Sequence, residues 1–313
     1  MNFNLDTCKY IVWGLVNTYH THKHIHEAFY RTLKLLGKQV LWLDAKSNLS
    51  GIDFSNTLFI SYNDCVRDEL GSIPLRKDCF YVIHNNIYPN MLSSFDGLNR
   101  LNWGVHLGIH NYDEEKIVFA PGTIYYPGSK TVNFSWATDL MPSEIMANKP
   151  SRVFRSDSKI VYFVTSSWNA SGEEVKKFEK ACNENGITFE WTGKTRGPVT
   201  IEENIRLIKE SYMAPALSCP EHCDHGYIPC RIFKNISYGQ YGITNSKWVR
   251  DVFDGHVIFH SDPYQLFYEA REKLPQITLA ELYAQMDFVA QNHTYVNRIE
   301  ALSRAIRIIL ENK

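Results

Sequence analysis

The sequence lacks an excess of charge of either sign, and this lack excludes some classes of protein. Its 33 Lys and Arg residues are balanced by 34 Asp and Glu residues, which gives a formal net charge of −1. Proteins that hold nucleic acid or an anionic membrane through charge usually carry a clear basic excess. We therefore expect neither nucleic acid nor a charged membrane surface as a partner.

Long apolar runs and a cysteine framework are also missing. No run reaches the ~18 apolar residues that a bilayer-spanning helix needs, so no membrane span is expected. The N-terminal segment MNFNLDTCKYIVWGLV has no basic start and no small-residue cleavage site, so no signal peptide is expected. The seven cysteines are odd in number and scattered, which is typical of reduced thiols. Together these features predict a cytoplasmic location.

Two common nucleotide motifs are absent as well. The chain has no G-x-x-x-x-G-K-[ST] phosphate loop and no G-x-G-x-x-G dinucleotide fingerprint. These absences weigh against kinases and dehydrogenases that use those loops.

What the chain does contain is an alternation of short apolar runs with amphipathic helices. Predicted strands in the first half are 10–16, 40–43, 57–61, 79–83 and 117–120, and in the second half 159–165, 188–191, 212–217, 242–245 and 257–259. Helices are predicted at 24–36, 171–185, 201–210, 262–272 and 279–310, the last broken near Asn292 and His293. This alternation predicts α/β domains with parallel sheets, which bind ligands at the carboxyl ends of their strands.

A polar segment at mid-chain divides the two series. Residues 148–158, NKPSRVFRSDS, carry Pro150 and interrupt the apolar pattern, so they are interpreted as a boundary. The predicted domains are 1–150 and 151–295. A C-terminal helix, 296–313, is considered as a segment that packs back on the first domain.

The stretch CRIFKNISYGQYGITNS, residues 230–246, is the most suggestive for function. Arg231 and Lys234 stand one helical turn apart, so both can face one ligand while apolar residues pack behind them. Two cations near a helix start suit a diphosphate. An ordinary amphipathic helix with a solvated basic edge explains the same spacing.

Histidines cluster after the first predicted strand. His20, His22, His24 and His26 occupy alternate positions. A histidine there is suited to general-base work because its ordinary pKa of ~6.5 lies near neutral pH. Solvated loop histidines, a contact with substrate and a metal site stay open as alternatives. The fourth predicted strand runs into His84 and Asn85, which we place with His24 on the acceptor side.

Three further polar segments have two interpretations each. Ser166, Ser167 and Asn169 suit a phosphate or a ribose, or else form a routine capping loop. Thr138 or Asp139 lines the site, or else begins a surface helix. The run CPEHCDHG, residues 219–226, contains two cysteines and two histidines, yet its spacing matches no common zinc motif. A loop beside the basic helix explains it more simply.

Taken together, the segments KIVYFVTSSWN, PCRIFKNISYG and GITNS resemble the donor domain of GT-B glycosyltransferases. The resemblance is closest to the group related to the spore protein CgeB and the group-1 transferases, and it is best over residues 159–260. Arg231, Phe233 and Gly239 match the family segment that lies against the nucleotide sugar. Lys234 stands where the family has a glutamate, and Gly226 where retaining members have another.

The resemblance implies two Rossmann-like domains with a cleft between them, the donor on the second domain and the acceptor on the first. It implies no cofactor and no obligatory metal, and the chain indeed has no D-x-D triplet. Donor contacts are expected from seven positions besides the two cations: Ser166, Ser167, Asn169, Tyr238, Gly239, Thr244 and Asn245.

The predicted function is transfer of a sugar from a UDP- or GDP-type donor to a hydroxyl of a glycan, protein or small molecule. Inversion is expected, with His20 or His22 as base and Arg231 and Lys234 stabilising the leaving diphosphate. One alternative is a non-catalytic nucleotide- or sugar-binding protein that retains the fold. Another is an epimerase or phosphorylase of the same architecture.

Overall fold

The structure, a computed structural model, describes residues 2–17, 22–68, 73–84, 95–108, 114–165, 172–197 and 199–312. Five predicted site residues lie outside these ranges: His20, Asn85, Ser166, Ser167 and Asn169. The chain divides into two compact units, Met1–Phe134 with Tyr295–Lys313 (unit 1) and Ser135–Thr294 (unit 2).

The elements of the described residues alternate much as predicted. The strands are β1 (Lys9–Trp13), β2 (Val40–Leu43), β3 (Thr57–Tyr62), β4 (Phe80–His84), β5 (Asn99–Gly104), β6 (Ile117–Ala120), β7 (Thr123–Tyr126), β8 (Thr131–Phe134), β9 (Ile160–Phe163), β10 (Thr188–Trp191), β11 (Pro215–Ala216), β12 (Ile243–Thr244) and β13 (Ile258–Phe259). The α-helices are α1 (Lys23–Leu35), α2 (Asn63–Asp68), α3 (Pro142–Ala147), α4 (Gly172–Glu184), α5 (Thr192–Thr195), α6 (Ile201–Glu210), α7 (Pro220–His225), α8 (Cys230–Ser237), α9 (Lys247–Val252), α10 (Pro263–Lys273), α11 (Leu279–Asn292) and α12 (Tyr295–Glu311).

Unit 1 is built on one sheet with the order β2-β1-β3-β4-β5-β8-β7-β6. Every pairing from β2 across to β8 is parallel, whereas β8, β7 and β6 pair antiparallel. The strand predicted at 117–120 is therefore present, but it belongs to an antiparallel meander rather than to a parallel crossover.

Aromatic side chains fill both faces of the unit 1 sheet. On one face the ring of Tyr81 lies 5.2 Å from that of Phe59 and 5.1 Å from that of Phe95. On the other, Phe29 of α1 packs edge-on against Trp103 and Tyr295, at 5.3 and 4.9 Å. Burial on two faces explains why the central strands are continuous apolar runs.

Unit 2 contains two groups of parallel strands, β10-β9 and β11-β12-β13. Two hydrogen bonds join them, from the Tyr212 amide to the carbonyl of Ile160 (2.7 Å) and from the Tyr162 amide to the hydroxyl of Ser211 (3.0 Å). The strands of unit 2 therefore follow the order β10-β9-β11-β12-β13.

Both units thus share one strand order. Numbered within each unit, the first five strands of unit 1 run 2-1-3-4-5, and the two groups of unit 2, joined by these hydrogen bonds, follow the same order. This is a doubly wound, Rossmann-like order. In such sheets the chain leaves in opposite directions from strands 1 and 3, and a crevice opens at their carboxyl ends. Functional side chains are therefore expected after β1 and β3 in unit 1 and after β9 and β11 in unit 2.

The end of the chain has the predicted interruption. Helix α11 ends at Asn292 and α12 begins at Tyr295, and α12 packs against α1 and β8 within unit 1.

The domain limits predicted at 150 and 295 stay predictions. None of the helices that the structure describes combines the length and the apolarity needed to cross a bilayer.

Candidate functional site

Helix α8 forms because apolar residues recur on one side of it and its ends are well defined. Pro229 precedes its first residue, a position that suits the fixed φ of proline. Ile232, Phe233 and Ile236 are fully buried. Gly239 follows with φ +96°, and a Cβ there would lie 3.2 Å from a carbonyl oxygen of the chain. Only glycine meets both conditions without strain.

Arg231, in the first turn of α8, reaches the carboxyl ends of two strands. Its Nε donates to the carbonyl of Val164, just after β9, at 3.4 Å. One terminal nitrogen donates to the carbonyl of Leu217, just after β11, at 3.3 Å. Since β9 and β11 are strands 1 and 3 of unit 2, the guanidinium lies at the switch point.

The charge on Arg231 is not neutralised within the described residues. The guanidinium lies 4.2 Å from the centre of the Phe163 ring, and no described carboxylate is within ion-pair distance of it. Burial lowers the pKa of the Arg231 guanidinium from its ordinary value. A partly buried cation that no described carboxylate balances is costly, so this position favours an anionic ligand.

Three further side chains lie near the first turn of α8, which carries Arg231. The ring of His222 lies 4.3 Å from that of Tyr227, and the indole nitrogen of Trp136 donates to the Tyr227 hydroxyl at 2.9 Å. Burial lowers the pKa of His222 and raises that of Tyr227, so both are neutral at pH 7. His222 belongs to the segment considered for zinc, whereas nothing in the sequence singled out Tyr227.

Ser218 adds an unsatisfied hydroxyl beside Arg231. It follows Leu217 directly, its side chain is buried, and its Oγ has no hydrogen-bond partner among the described residues. A buried hydroxyl without a partner costs free energy. A ligand oxygen bound at this edge of the sheet would satisfy it.

Thr244 and Asn245, predicted to contact the donor, use their polar groups within the chain. The amide of Asn245 accepts from the Ser218 nitrogen and donates to the Ser218 carbonyl, both at 2.8 Å. The Thr244 hydroxyl donates to the carbonyl of Ala216 at 3.2 Å. Both residues therefore position the loop that carries Ser218, and their contact with a donor stays a prediction.

Lys234 has surroundings quite different from those of Arg231. Its ammonium donates to Oδ2 of Asp139 at 2.8 Å, while the Tyr238 hydroxyl donates to Oδ1 at 2.7 Å. The side chains of Lys234 and Asp139 are only 20% and 9% exposed. The two cations predicted to act as one clamp thus meet different partners, and Lys234 already has a counter-charge.

The segment from Trp136 to Asp139 fastens α8 along its length. Trp136 is hydrogen bonded to Tyr227, which precedes the helix, and Asp139 is hydrogen bonded to Lys234 in the last turn of the helix. Between them the hydroxyls of Thr138 and Ser237 are hydrogen bonded at 2.7 Å, both fully buried. This segment, considered above as a site lining or a surface helix start, fixes the helix that presents Arg231.

Unit 1 has a cluster of rings at its own switch point. His22, at the start of α1, stacks on Tyr62 at the end of β3, with ring centres 4.2 Å apart. His84, at the end of β4, lies 5.7 Å from His22 and 5.4 Å from Tyr62. The structure therefore brings together two of the predicted histidines and adds a tyrosine that the sequence did not indicate.

The neighbouring histidines face elsewhere. His24 is exposed and lies 3.8 Å from Glu27 on the same helix face. His26 is buried, and its Nδ1 lies 3.0 Å from the carbonyl of Gly14. Its contact is with the β1 loop, which Gly14 makes possible by adopting φ +98°. Among His22, His24 and His26, only His22 is half-buried beside a second histidine.

The described residues contain no group of three or more His, Cys, Asp or Glu side chains arranged to hold a metal ion. The segment 219–226 is not the loop expected from the sequence either, because Pro220–His225 form helix α7 between Cys219 and Gly226. The prediction that no metal is required stays a prediction.

The two units together define the class of fold. Two Rossmann-like α/β domains, each with polar side chains at its switch point, form the GT-B fold, and the fold class predicted from the sequence is confirmed. The kinship with the CgeB-related group stays a prediction.

Three solved structures that resemble this chain are trehalose-6-phosphate synthases. One, studied with bisubstrate glycomimetics as an enzyme of glycosyl transfer with retention, has a TM-score of 0.51 at 8% identity and covers 97% of this chain and 98% of its own. OtsA has a TM-score of 0.46 at 9% identity, with 94% and 78% covered. The UDP-forming α,α-trehalose-phosphate synthase of Burkholderia xenovorans has 0.45 at 12%, with 93% and 80% covered. No family model and no curated sequence matches this chain.

Proposed function

We propose that this protein is a glycosyltransferase that moves a sugar from a nucleoside-diphosphate donor to a hydroxyl group. The observation that carries the proposal is Arg231, a largely buried guanidinium without a carboxylate partner among the described residues, held where strands 1 and 3 of unit 2 end. Support for the class of reaction comes from the fold, which this chain shares with a trehalose-6-phosphate synthase.

On this proposal the diphosphate of the donor binds to Arg231. Negative charge accumulates on the diphosphate as the bond to the sugar breaks, and a fixed cation stabilises that charge more than it stabilises the ground state. The Ser218 hydroxyl and the first-turn N–H groups of α8 supply further donors. Lys234 assists indirectly, because its pairing with Asp139 holds the helix.

The acceptor is assigned to unit 1, at His22, Tyr62 and His84. Flat rings with polar edges suit a sugar, since the ring faces pack on C–H groups while nitrogen and hydroxyl groups bond to its oxygens. His22 is the described histidine best placed to contact an acceptor hydroxyl. His22→Gln is expected to reduce kcat/KM for the acceptor at least tenfold, whereas His24→Gln, on an exposed residue beside Glu27, leaves it unchanged.

The stereochemical outcome that we propose differs from the inversion that the sequence predicts. Replacement of the family glutamates at Lys234 and Gly226 favours inversion, whereas the similar solved structures give it no support. The solved structure with the same fold belongs to an enzyme that acts with retention, so retention is the outcome we propose. His22 then binds the acceptor rather than serving as an obligatory base. Proton NMR of the anomeric centre in the first turnover measures this directly.

The proposal is tested by calorimetric titration of UDP and GDP and a thermal-shift panel of UDP, GDP, CMP and dTDP sugars. Arg231→Met keeps the apolar packing over Phe163 and removes the charge, so Kd for the preferred diphosphate should rise ~10–150-fold, equal to about 1.5–3 kcal/mol. The matched control is Arg250→Met, because Arg250 also lies over a phenylalanine, at 5.0 Å, but is paired with Asp251. Failure of every nucleotide to bind the wild type would refute the proposal.

One second function has an observation in its favour. Lys234 replaces the family glutamate and is tied to Asp139, so a non-catalytic nucleotide-sugar-binding protein on the same fold is the competing assignment. Binding that depends on Arg231 without turnover on any acceptor would favour that assignment over the enzyme.

A further inference from the structure

The polar segment interpreted as a boundary between domains lines a cavity within unit 2. Residues 147–153 and 155 close one side of it, the end of α6 closes another, and Gly239 and Gln240 close a third. The volume of the cavity is about 300 Å³, near the lower limit for small-molecule pockets. It lies beyond the last residue of α8, whereas Arg231 stands in the first turn of that helix.

The cavity is strongly cationic. Four basic side chains and no carboxylate are among the residues that line it in the part of the chain that the structure describes. These basic residues are Lys149, Arg152, Arg155 and Lys209.

Two carboxylates outside the lining offset half of this charge. Asp287 pairs with Lys149 at 2.9 Å. Asp157 pairs with Arg152 at 3.3 Å and, less closely, with Arg155 at 3.7 Å. Four positive groups therefore face two negative ones, and the cavity keeps an excess of about two positive charges.

Two donors are left incompletely compensated. The Lys209 ammonium donates to the side-chain oxygen of Asn148 at 2.6 Å and has no carboxylate partner in the described ranges. One terminal nitrogen of Arg155 donates to the Lys209 carbonyl at 3.3 Å, but its Nε is buried without a partner. Burial also lowers the pKa of Lys209, which fits a cation lacking its counter-ion.

We propose that this cavity binds the phosphate group of a small phosphorylated molecule, at a site separate from the donor and acceptor sites. A phosphate dianion matches the excess of two charges and offers oxygens to both an ammonium and a guanidinium edge. The remaining volume accommodates a compact organic part. The proposal does not depend on the reaction that the protein catalyses.

A simpler explanation covers part of these contacts. Lys209 lies in the last turn of α6, where a cation is favoured by the helix dipole, and Arg155 bonds to a carbonyl of that turn. Stabilisation of a helix end does not use the Arg155 Nε, nor does it require a cavity without carboxylates. The two explanations differ in whether added phosphate binds.

The test is calorimetric titration with inorganic phosphate and with glucose 6-phosphate. Lys209→Met removes the charge, and Arg155→Lys keeps the charge but removes the Nε donor. Each is expected to raise Kd for phosphate at least about tenfold. The control is Lys176→Met, on an exposed and paired lysine of α4, which should leave Kd unchanged.

The outcomes separate the possibilities. Tighter binding of glucose 6-phosphate than of inorganic phosphate means that the organic part contributes, and equal binding means that phosphate alone is recognised; both support the site, provided that Lys209→Met weakens them. The phosphate-free Lys209→Met protein is expected to melt no lower than the wild type, because it loses an uncompensated charge. No phosphate binding by the wild type, or binding unaffected by both variants, overturns the proposal.

Discussion

The pairing of Lys234 with Asp139 provides the sharpest prediction about stability. Lys234→Met removes the ammonium group that pairs with Asp139, whose side chain is only 9% exposed. The hydrogen bond from the Tyr238 hydroxyl to the Asp139 carboxylate is retained. Removing one member of a buried ion pair costs about 3–5 kcal/mol. We expect about 3 kcal/mol here, since Tyr238 still donates and Lys234 is itself one-fifth exposed.

A double-mutant cycle separates the pair from its surroundings. Asp139→Asn leaves the ammonium facing a neutral amide, and the double variant removes both charges. Because neither charge is then stranded, the double variant should be less destabilised than the sum of the single variants by at least about 1.5 kcal/mol. Urea unfolding followed by circular dichroism gives each value from the midpoint and slope.

The matched control is Lys176→Met, which breaks an ion pair of similar length, 2.7 Å, on the surface of α4. It should leave the unfolding midpoint within error of the wild type. The reasoning is refuted if Lys234→Met also leaves the midpoint unchanged and instead weakens nucleotide binding as much as Arg231→Met does. Lys234 would then be the second half of a diphosphate clamp, as the helical spacing alone suggested.

Three further predictions concern the same unit. Gly239→Ala should cost more than the ~1 kcal/mol of its positive φ, because the added Cβ lies 3.2 Å from a carbonyl oxygen, whereas Gly37→Ala, with φ +70° in open space, should show the φ cost alone in urea unfolding. Asn245→Ala should cost about 2–4 kcal/mol, because the buried amide and carbonyl of Ser218 both lose their partner. Burial alone would raise the pKa of Asp139, but Lys234 and Tyr238 beside it lower that pKa below its ordinary value. The ionised Asp139 carboxylate therefore stabilises the fold above the unfolded pKa of ~3.9, and this stabilisation is lost as the pH falls below that value. The free energy of unfolding of Asp139→Asn should depend less on pH over that acid range.

Most strands of the sheets could be predicted because burial on both faces leaves a local signal. Strands β3 and β4 are runs of buried residues, and the apolar pattern located both within two residues. Strand β5 was missed because its sequence, NRLNWG, alternates polar and buried residues and contains no apolar run. Strands β7 and β8 were missed since they belong to a short meander, for which helix–strand alternation gives no guide.

The candidate site was predictable only as far as single residues go. Arg231 was found because a cation in the first turn of a helix after a predicted strand is a local pattern. That Lys234 has a carboxylate partner, and that Arg231 has none among the described residues, is not a local feature, because the partner Asp139 lies 95 residues away from Lys234 in the sequence. Helical spacing makes two cations look equivalent, and only the tertiary contacts distinguish them.

The same limit explains the segment 148–158. Proline, serine and alternating charges are typical of a linker in the sequence, and a one-dimensional pattern cannot show that Lys209, which approaches from α6, completes a cavity with it. A segment that is polar because it is solvated and one that is polar because it lines a charged cavity have the same composition. The two kinds of segment are distinguished by the residues of other elements that lie opposite them.

The two switch points carry different chemistry, and this difference is what a transfer reaction between an anionic donor and a neutral acceptor requires. Unit 2 presents a guanidinium that has no carboxylate partner in the part of the chain that the structure describes, and a buried hydroxyl; both suit an anion and stabilise it more as its charge grows. Unit 1 presents two imidazoles and a phenol, which suit hydroxyl groups and lose little when the ligand is uncharged. A protein that only stored or sensed a nucleotide would need the first cluster and not the second. For that reason loss of transfer in His22→Gln with nucleotide binding intact would be the most informative single result, since it assigns the ring cluster a role in the reaction that binding alone does not demand.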